Sequence, residues 1–384
     1  MSESTLKEYV ESHFLGDLSV GFHIVTSIRF DFDMFVKRAN QDKGPRHNIY
    51  LISEFLHAKI HQPNNQSSNF INKALSLLAA QPEHWELASQ LSEELTDDDV
   101  VYCVAEDIGL PLAILCKFKS KKPRLVMGVM APSRKRTQYL IKSLGLGNII
   151  QVFAVNAKNK ADYLQTLLNL PQERVILIPE KTDEAFFNPA KGNIPKTRPL
   201  IASAGLEQRD YKTLAEAIHG EDINVKICAF SPNASAKTQV SMPEPVPDNM
   251  EIRYFEFTEL RDLYRSADIV VVSLLENDYS AGLTVLMEAM ACRRPVIMTK
   301  NVGLAEELVD KGLVIGTKPG DVLGMRTAIQ ELLSNPEKAS ALAQKAYDYF
   351  LIHHTSEYYV NFMSDIMKEM VPDKASSKKN YSLR

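Results

Sequence analysis

The stretch of residues 268–321 constrains the fold of this chain more than any other. It opens with a continuous apolar run at residues 268–275, which leads into a turn at residues 279–282 with the sequence Tyr-Ser-Ala-Gly. An amphipathic segment at residues 283–291 follows, and then a second apolar run at residues 294–299. A strand, a glycine turn, a helix and another strand predict a βαβ unit. The free N–H groups and positive dipole at the start of such a helix favour a bound phosphate.

Short apolar runs alternate with amphipathic segments over most of the chain, which is typical of parallel strands covered by helices on both faces. In the first half, the predicted strands are residues 22–27, 48–53, 100–105, 124–130, 149–155 and 174–179, and the predicted helices include residues 70–80, 134–144 and 160–170. In the second half, the predicted strands include residues 200–204, 225–230 and 251–257, and the predicted helices include residues 211–219 and 259–267. We therefore expect an α/β protein of two doubly wound, Rossmann-like domains that face a cleft.

A segment with two prolines and a glycine, residues 188–196, separates the two halves and marks a linker. The chain of 384 residues suits two domains. The expected units are a first domain at residues 1–190, a second domain at residues 196–350, a helix at residues 351–372 that packs back toward the first domain, and a disordered tail at residues 373–384.

Composition and charge exclude several classes of protein. A hydrophobic content of 45% and a charged content of 24% are those of a soluble globular protein. The net charge of −4 argues against a nucleic-acid partner. The four cysteines form no CxxC pair, so we expect reduced core residues rather than a zinc ribbon. Residues 1–15 lack the apolar run of a secretory signal, and we expect a cytoplasmic protein.

One face of the predicted helix at residues 283–291 carries polar side chains. Ser280, Thr284 and Glu288 are spaced four residues apart, so we expect them to share a face beside a buried apolar stripe. The turn would bind phosphates through its N–H groups, and the Glu288 carboxylate would accept both hydroxyls of a ribose. The competing interpretation is a solvated helix face with a surface glutamate.

The chain contains several short motifs with a particular order and spacing. They are Gly-Leu-Thr-Val-Leu-Met-Glu-Ala-Met-Ala at residues 282–291, Arg-Pro-Val-Ile at residues 294–297, Pro-Gly-Asp at residues 319–321, Val-Ile-Leu-Ile-Pro at residues 175–179, and Ala-Gly at residues 204–205 with Arg-Asp-Tyr-Lys-Thr-Leu at residues 209–214. Their order and spacing resemble those of glycosyltransferase family 4, whose members are retaining, metal-independent enzymes of the glycosyltransferase B fold.

The resemblance implies a role for particular residues. Glu288 corresponds to the second glutamate of the family's paired motif, which holds the donor ribose. Arg209 corresponds to a basic residue on the diphosphate, with Lys212 as the alternative if the alignment shifts. The residues implied in donor binding are Gly205, Ser280, Ala281, Gly282, Leu283, Thr284 and Glu288, and those implied in catalysis are Arg209, Lys212 and Glu288. The competing interpretation of Arg209 is a surface arginine paired with Asp210 or Glu207.

The sequence also departs from the family pattern. Ser280 stands where the family has the first glutamate, and Leu206 stands where it has an arginine. Residues 126–132 lack the histidine of the first domain, and Ser-Ile-Arg-Phe-Asp at residues 27–31 replaces a glycine-rich loop. The implied function is that of a retaining hexosyltransferase with no metal or cofactor. A non-catalytic nucleotide-sugar-binding or scaffold protein and a sugar-nucleotide epimerase remain alternatives.

A long basic segment suggests a further partner. Residues 117–160 contain no Asp or Glu and eleven cations: Lys117, Lys119, Lys121, Lys122, Arg124, Arg134, Lys135, Arg136, Lys142, Lys158 and Lys160. Tyr139, Leu140, Ile141 and Leu144 lie among them, as in a basic amphipathic helix on an anionic membrane surface. Such contact would place the protein at the inner membrane face and suit a lipid acceptor, although a glycan or small molecule would also be consistent. The alternatives are a solvated basic face and the positive wall of the diphosphate cleft.

Two other patterns predict no metal site. Asp31-Phe32-Asp33 precedes a helical segment and lacks the context of a metal motif. His57 and His61 have the spacing of one helix face, but no third ligand accompanies them.

Overall fold

The computed structural model describes residues 20–64, 70–230, 238–277 and 281–371. Its strands form two six-stranded sheets and one separate two-stranded pair. Within each large sheet, all described strand pairs are parallel. The predicted architecture of two doubly wound α/β domains is therefore confirmed.

The first sheet has the strand order β2-β1-β3-β4-β5-β6. Its strands are β1 (Phe22–Val25), β2 (Lys59–His61), β3 (Val100–Cys103), β4 (Arg124–Gly128), β5 (Ile150–Val155) and β6 (Val175–Leu177). The accompanying helices are α1 (Phe32–Asn40), α2 (Asn48–Leu56), α3 (Phe70–Leu75), α4 (Pro82–Glu94), α5 (Glu106–Lys117), α6 (Lys135–Ser143) and α7 (Lys158–Leu168). Side chains of α4 to α7 bury one face of the sheet, and α2 packs on the other face.

The predicted strand at residues 48–53 is wrong, because α2 occupies this position. Ile52 and Leu56 are buried and lie four residues apart, which is the spacing of a helix face. A parallel pair such as β1 and β2 also needs a crossover connection, for which a helix is the usual solution. The strand β2 escaped prediction because it is only three residues long.

The second sheet has the strand order β11-β9-β7-β12-β13-β14. Its strands are β7 (Leu200–Ala204), β9 (Asn224–Cys228), β11 (Met250–Arg253), β12 (Ile269–Val272), β13 (Val296–Thr299) and β14 (Ile315–Thr317). The separate pair is β8 (Arg209–Asp210) with β10 (Val240–Ser241). The helices are α8 (Tyr211–Ala217), α9 (Phe257–Ser266), α10 (Leu283–Ala291), α11 (Leu304–Asp310), α12 (Val322–Ser334) and α13 (Pro336–His353). The order in which strands are added to the large sheet reverses between β7 and β12, as in the Rossmann fold.

The chain passes between the domains at two places that lie side by side. The Thr182 N–H donates to the His354 carbonyl oxygen at 3.0 Å, and the Ser356 N–H donates to the Thr182 carbonyl oxygen at 3.1 Å. The last described helix, α14 (Ser356–Glu369), then packs on α2, where Met363 joins the core beneath the first sheet. The predicted tail at residues 373–384 lies outside the described residues.

All four cysteines are buried and unpaired, as the sequence predicts. In the part of the chain that the structure describes, no helix has both the length and the apolar content needed to cross a membrane.

Candidate functional site

The carboxyl ends of β7 and β12 adjoin where the strand order of the second sheet reverses, which is where open α/β sheets bind ligands. The segment after β7 attaches directly to the end of β12. The Asp210 N–H donates to the Ser273 carbonyl oxygen at 3.0 Å, and the Leu275 N–H donates to the Gln208 carbonyl oxygen at 2.9 Å. These two hydrogen bonds fix Arg209 at the edge of the sheet.

Arg209 is buried in a tight turn. Its Nε donates to the Ala204 carbonyl oxygen at 2.7 Å, and its Nη1 donates to the Glu207 carbonyl oxygen at 2.8 Å. Gly205 has a φ of +94°, and a Cβ atom there would lie 2.4 Å from the Arg209 Nη2. Glycine at this position therefore allows the guanidinium to lie against the turn. Because Arg209 is buried, the alternative of a surface arginine is wrong, and the Asp210 carboxylate caps α8 by accepting the Thr213 N–H.

A second left-handed glycine starts α10. Gly282 has a φ of +79°, and a Cβ atom there would lie 2.7 Å from the Val272 Cγ1, so the turn packs tightly on the end of β12. Of the other residues predicted to bind the donor here, Ala281 and Leu283 are buried and Thr284 is exposed. Ser280 lies outside the described residues. The turn presents the amino terminus of α10 at the same edge as Arg209.

Glu288 lies inside the protein rather than on a solvated face. Its side chain is buried, and its Oε2 accepts a hydrogen bond of 2.9 Å from the Tyr264 hydroxyl. Burial raises the pKa of the Glu288 carboxyl to about 7, while the Tyr264 hydrogen bond and the charge of Arg209 act in the opposite direction. The alternative of a surface glutamate is therefore wrong.

Thr284 and Glu288 lie four residues apart on α10 but differ in burial, because Thr284 is exposed whereas Glu288 is buried. The reason is that α10 packs between the sheet and α13, which covers most of its surface. Only the first turn of α10 reaches solvent. The polar residues of α10 therefore run from an exposed turn into a closed interior.

Lys212 lies in a different setting from Arg209. It is an exposed residue in the first turn of α8, whereas Arg209 is buried and its charge acts on Glu288. Of the two basic candidates, Arg209 is the one that lies against Gly205 and acts electrostatically on Glu288.

Tyr264 is a member of the site that the sequence analysis missed. It lies on α9 with Leu260, Leu263 and Ala267, which are buried at intervals of three and four residues. A tyrosine within such a buried stripe needs a hydrogen-bond partner for its hydroxyl. That requirement was the available signal, but the sequence could not show that Glu288 is the partner.

The corresponding edge of the first sheet holds a cavity of about 660 Å³ at the ends of β1 and β2. Its lining residues are Arg29, Phe30, Asp31, Phe32, Asp33 and Gln62. The Phe30 N–H donates to the Gln62 Oε1 at 2.6 Å, and the Asp31 carboxylate caps α1. The segment that replaces the family's glycine-rich loop therefore forms one wall of a cavity.

The two histidines with helical spacing do not share a helix. His57 ends α2 in a left-handed conformation, whereas His61 lies on β2, where its Nε2 contacts the His23 Nδ1 at 2.8 Å. Within residues 20–64, 70–230, 238–277 and 281–371, no group of three or more His, Cys, Asp and Glu side chains is arranged to hold a metal ion.

Comparison with known proteins adds a family to this geometry. The family described as glycosyl transferases group 1 matches residues 209–335, which begin at Arg209 and include the whole of α10. The match lies within the second domain, which is therefore similar to the group 1 glycosyl transferases. The resemblance to glycosyltransferase family 4 that the sequence predicts is thereby confirmed.

Among curated proteins, the chain is similar to D-inositol 3-phosphate glycosyltransferase 2 of Catenulispora acidiphila, with 37% identity over 95 residues. The match covers 24% of this chain and 21% of that protein, so the chain spans about a fifth of the length of its curated relative.

Solved structures match over most of the chain. A glycosyltransferase from Rickettsia africae superposes with a TM-score of 0.65 and 13% identity, covering 93% of this chain and all of the other. The Anabaena protein HepE in complex with UDP-glucose gives a TM-score of 0.61 and 13% identity, covering 91% of this chain and 99% of that one. These matches confirm the predicted glycosyltransferase B fold.

Proposed function

We propose that this chain is a glycosyltransferase that takes a sugar from a nucleotide-activated donor and passes it to an acceptor hydroxyl. The observation that carries the proposal is that Arg209 and Glu288 are both buried, and that the charge of Arg209 acts on Glu288, in a domain similar to group 1 glycosyl transferases. Both side chains are charged groups removed from solvent, which is common at functional sites.

The donor would bind with its diphosphate at the glycine turns. Two of the Arg209 nitrogens hold the turn at Gly205, which fixes the direction of the guanidinium before any ligand arrives. The amino terminus of α10 would add backbone N–H donors and the positive end of a helix dipole. HepE, which shares the fold, has been solved with UDP-glucose, and this supports a nucleotide sugar as the ligand class.

Glu288 would hold the ribose. A carboxylate offers about four acceptor positions, so the single bond from Tyr264 leaves room for two ribose hydroxyls. Because ribose hydroxyls donate to a carboxylate more strongly than to a carboxylic acid, the charged form of Glu288 would bind the donor better. We therefore expect Tyr264 to act as a positioning residue for this contact.

The chemical step breaks the bond between the anomeric carbon of the sugar and the diphosphate oxygen. Negative charge then develops on the diphosphate, where Arg209 and the α10 amino terminus would stabilise it in a site with little water. The acceptor hydroxyl would form the new bond on the same face of the sugar and give its proton to the departing phosphate. Retention, independence of metal ions and the hexosyl nature of the sugar follow from the family resemblance and belong to the proposal.

The acceptor would enter from the first domain. The cavity at the ends of β1 and β2 combines the Phe30 and Phe32 rings with the polar side chains of Asp33 and Gln62. Aromatic rings beside hydrogen-bonding groups suit a hydroxylated acceptor.

Calorimetry with a panel of nucleotide sugars and their diphosphates tests the donor site. We expect one member to bind, and Arg209→Ala and Glu288→Gln to weaken it. Arg326→Ala is the matched control, since Arg326 also donates to backbone carbonyl oxygens, those of Glu216 and Ala217, but at the carboxyl end of α8. Binding of no panel member, or equal losses in the control, would overturn the donor site.

Turnover separates an enzyme from a non-catalytic binding protein. An enzyme should release nucleoside diphosphate from the bound donor in the presence or absence of added EDTA, and Glu288→Gln should slow the release. If the donor binds but no nucleoside diphosphate is released with any acceptor tested, the scaffold alternative is favoured. An isomerised sugar without transfer would favour an epimerase.

A further inference from the structure

We propose that the first domain carries a docking surface for an anionic lipid membrane, formed by α3, the turn that follows it, and the start of α6. This α3–α6 surface consists of apolar Phe70, Ile71, Leu77, Leu78 and Tyr139 and basic Lys73, Arg134, Lys135 and Arg136. The proposal concerns a binding partner and stands apart from the transfer reaction.

The apolar side chains of α3 and of the turn after it are exposed on one side of that segment. Phe70 is 84% exposed and Leu77 is 76% exposed. The two are seven residues apart, as are exposed Ile71 and Leu78, and helical hydrogen bonding continues past Leu75 into the turn. Large apolar side chains grouped on a surface mark an interaction site.

The basic half lies next to it. Lys135, Arg136 and Tyr139 are exposed within one turn of α6, and Arg134 immediately precedes that helix. The Arg136 Nη2 donates to the Leu77 carbonyl oxygen at 2.8 Å, which joins the start of α6 to the apolar turn.

The structure corrects the sequence-based expectation of an amphipathic α6 lying on a bilayer. Leu140 and Ile141 are buried in the core of the first domain and are not available to a membrane. Apart from Tyr139, the apolar contribution comes instead from α3 and the turn after it, which lie outside the basic run.

Other cations of the basic run have structural partners at the opposite edge of the domain. The Lys117 Nζ donates to the Leu144 carbonyl oxygen at 2.8 Å at the carboxyl end of α6, and the Lys119 Nζ donates to the Ser92 carbonyl oxygen near the end of α4. Cations at helix carboxyl ends stabilise the helix dipole. The basic residues beside the apolar turn are therefore a separate group.

Charge complementarity selects the partner. Neither residues 70–81 nor residues 117–160 contain an Asp or Glu, so cations alone border the exposed apolar side chains in these segments. Apolar side chains that enter the acyl boundary together with Lys and Arg at the headgroups are the features of an interfacial membrane site.

The position of the α3–α6 surface determines which edge of the first domain would face the membrane. The His84 ring nitrogen Nε2 contacts the Ser27 carbonyl oxygen at 2.7 Å, so the start of α4 and the turn before it lie beside the end of β1. The α3–α6 surface therefore lies on the edge of the first domain that also holds the 660 Å³ cavity. A docked protein would hold that edge close to the membrane.

Vesicle flotation with the full chain tests the proposal. Vesicles of phosphatidylcholine with about a third phosphatidylglycerol should carry the wild type, and vesicles of phosphatidylcholine alone should not. Arg134→Gln with Lys135→Gln should lower the partition coefficient by about fivefold per cation. Phe70→Ser with Leu77→Ser should lower it by at least about tenfold.

Matched controls come from the opposite edge of the domain. Phe118 is 80% exposed, and Lys121 is an exposed cation, so Phe118→Ser with Lys121→Gln removes similar groups outside the surface. This control should float as the wild type does, and thermal melts should show that every variant folds. Equal flotation with neutral vesicles, or equal losses in the control, would overturn the proposal. Loss of a dimer in sedimentation by the Leu77 variant, with no vesicle binding by the wild type, would overturn it in favour of a protein partner.

Discussion

Each of the two α/β domains buries a glutamate on a helix that covers its sheet, and the two glutamates differ in what holds them. Glu106, in the first turn of α5, accepts the Met130 N–H at 2.7 Å and the Ala131 N–H at 3.1 Å. Glu288, in α10, accepts one hydrogen bond from the Tyr264 hydroxyl. Both glutamates are therefore buried, but Glu106 accepts hydrogen bonds from two backbone N–H groups and Glu288 accepts one from a side chain.

The difference separates a structural carboxylate from one that can serve a ligand. Two backbone donors tie Glu106 to the loop after β4, and breaking those bonds would leave buried N–H groups without partners. Glu288 has a side-chain donor and a raised pKa, so its charged form is incompletely compensated in the folded protein. A ligand with hydroxyl groups could supply the further hydrogen-bond donors that the charged Glu288 carboxylate lacks in the protein.

The largest expected effect belongs to the cation beside Glu288. Arg209→Ala should lower donor turnover by about 10²–10³-fold, because removing one preorganised donor to a developing oxyanion typically has this effect. Initial rates of nucleoside diphosphate release would measure it. Lys212→Ala, which removes an exposed cation three residues along the chain, is the comparison. If it matched Arg209→Ala, the diphosphate contact would belong to Lys212.

The next effect concerns the stability that Glu106 supplies. Glu106→Gln should lower the free energy of unfolding by about 3 kcal/mol, because one amide oxygen cannot accept both N–H groups and the amide NH₂ faces a donor. Urea denaturation measures this change. Donor affinity should stay within a factor of about two in the folded protein. A large loss of donor affinity without a loss of stability would mean that Glu106 takes part in donor binding rather than in stabilising the fold.

Glu288→Gln should change stability in the opposite direction. The folded carboxyl has a pKa of about 7 against an ordinary value of 4.5. Between these two values the folded protein holds a proton that the unfolded chain releases, so the free energy of unfolding falls as pH rises through this window. The variant escapes this loss and should be roughly 2–3 kcal/mol more stable than the wild type near pH 8, but not near pH 5. Denaturation at both pH values, with Glu106→Gln in parallel, would show whether the two substitutions change the free energy of unfolding in opposite directions.

The smallest expected effect comes from the hydroxyl on Glu288. Tyr264→Phe should lower the free energy of unfolding by about 1 kcal/mol through loss of one hydrogen bond. It should also raise the pKa of Glu288, because that hydrogen bond lowers it. Donor affinity of the wild type should rise as pH rises through about 7, and in the variant this rise should move to higher pH. Unshifted pH profiles would mean that Tyr264 has a packing role only.

The sequence predicted those elements whose signals are local and strong. The predicted boundaries of β7 and α10 match the structure because continuous apolar runs and a glycine turn delimit them. The error at residues 48–53 arose because a short apolar segment fits a strand or a helix equally well, and only the parallel pairing of β1 with β2 decides between them. Local patterns therefore gave the architecture, whereas tertiary pairing decided the ambiguous segment.

The candidate donor site was only partly predictable, because tertiary packing again decides what local patterns cannot. Spacing and resemblance singled out Arg209 and Glu288, but neither could show that both are buried. Burial depends on what packs above a residue, and for Glu288 that includes α9, which brings Tyr264 from a distant part of the chain. The electrostatic character of the site therefore required the structure.

The paired crossings at Thr182 and Thr355 define a hinge. Two backbone hydrogen bonds join the outgoing and returning segments, and the Arg46 Nε donates to the Asp183 Oδ1 at 2.8 Å beside them. Away from that line, Arg261, which is only 11% exposed, pairs with exposed Asp42 across the domains, at 2.5 Å between Nη1 and Oδ1. Because the Asp42 carboxylate is open to solvent, salt screens this ion pair. We therefore expect the two halves to rotate about the paired crossings, and higher ionic strength to let them open further.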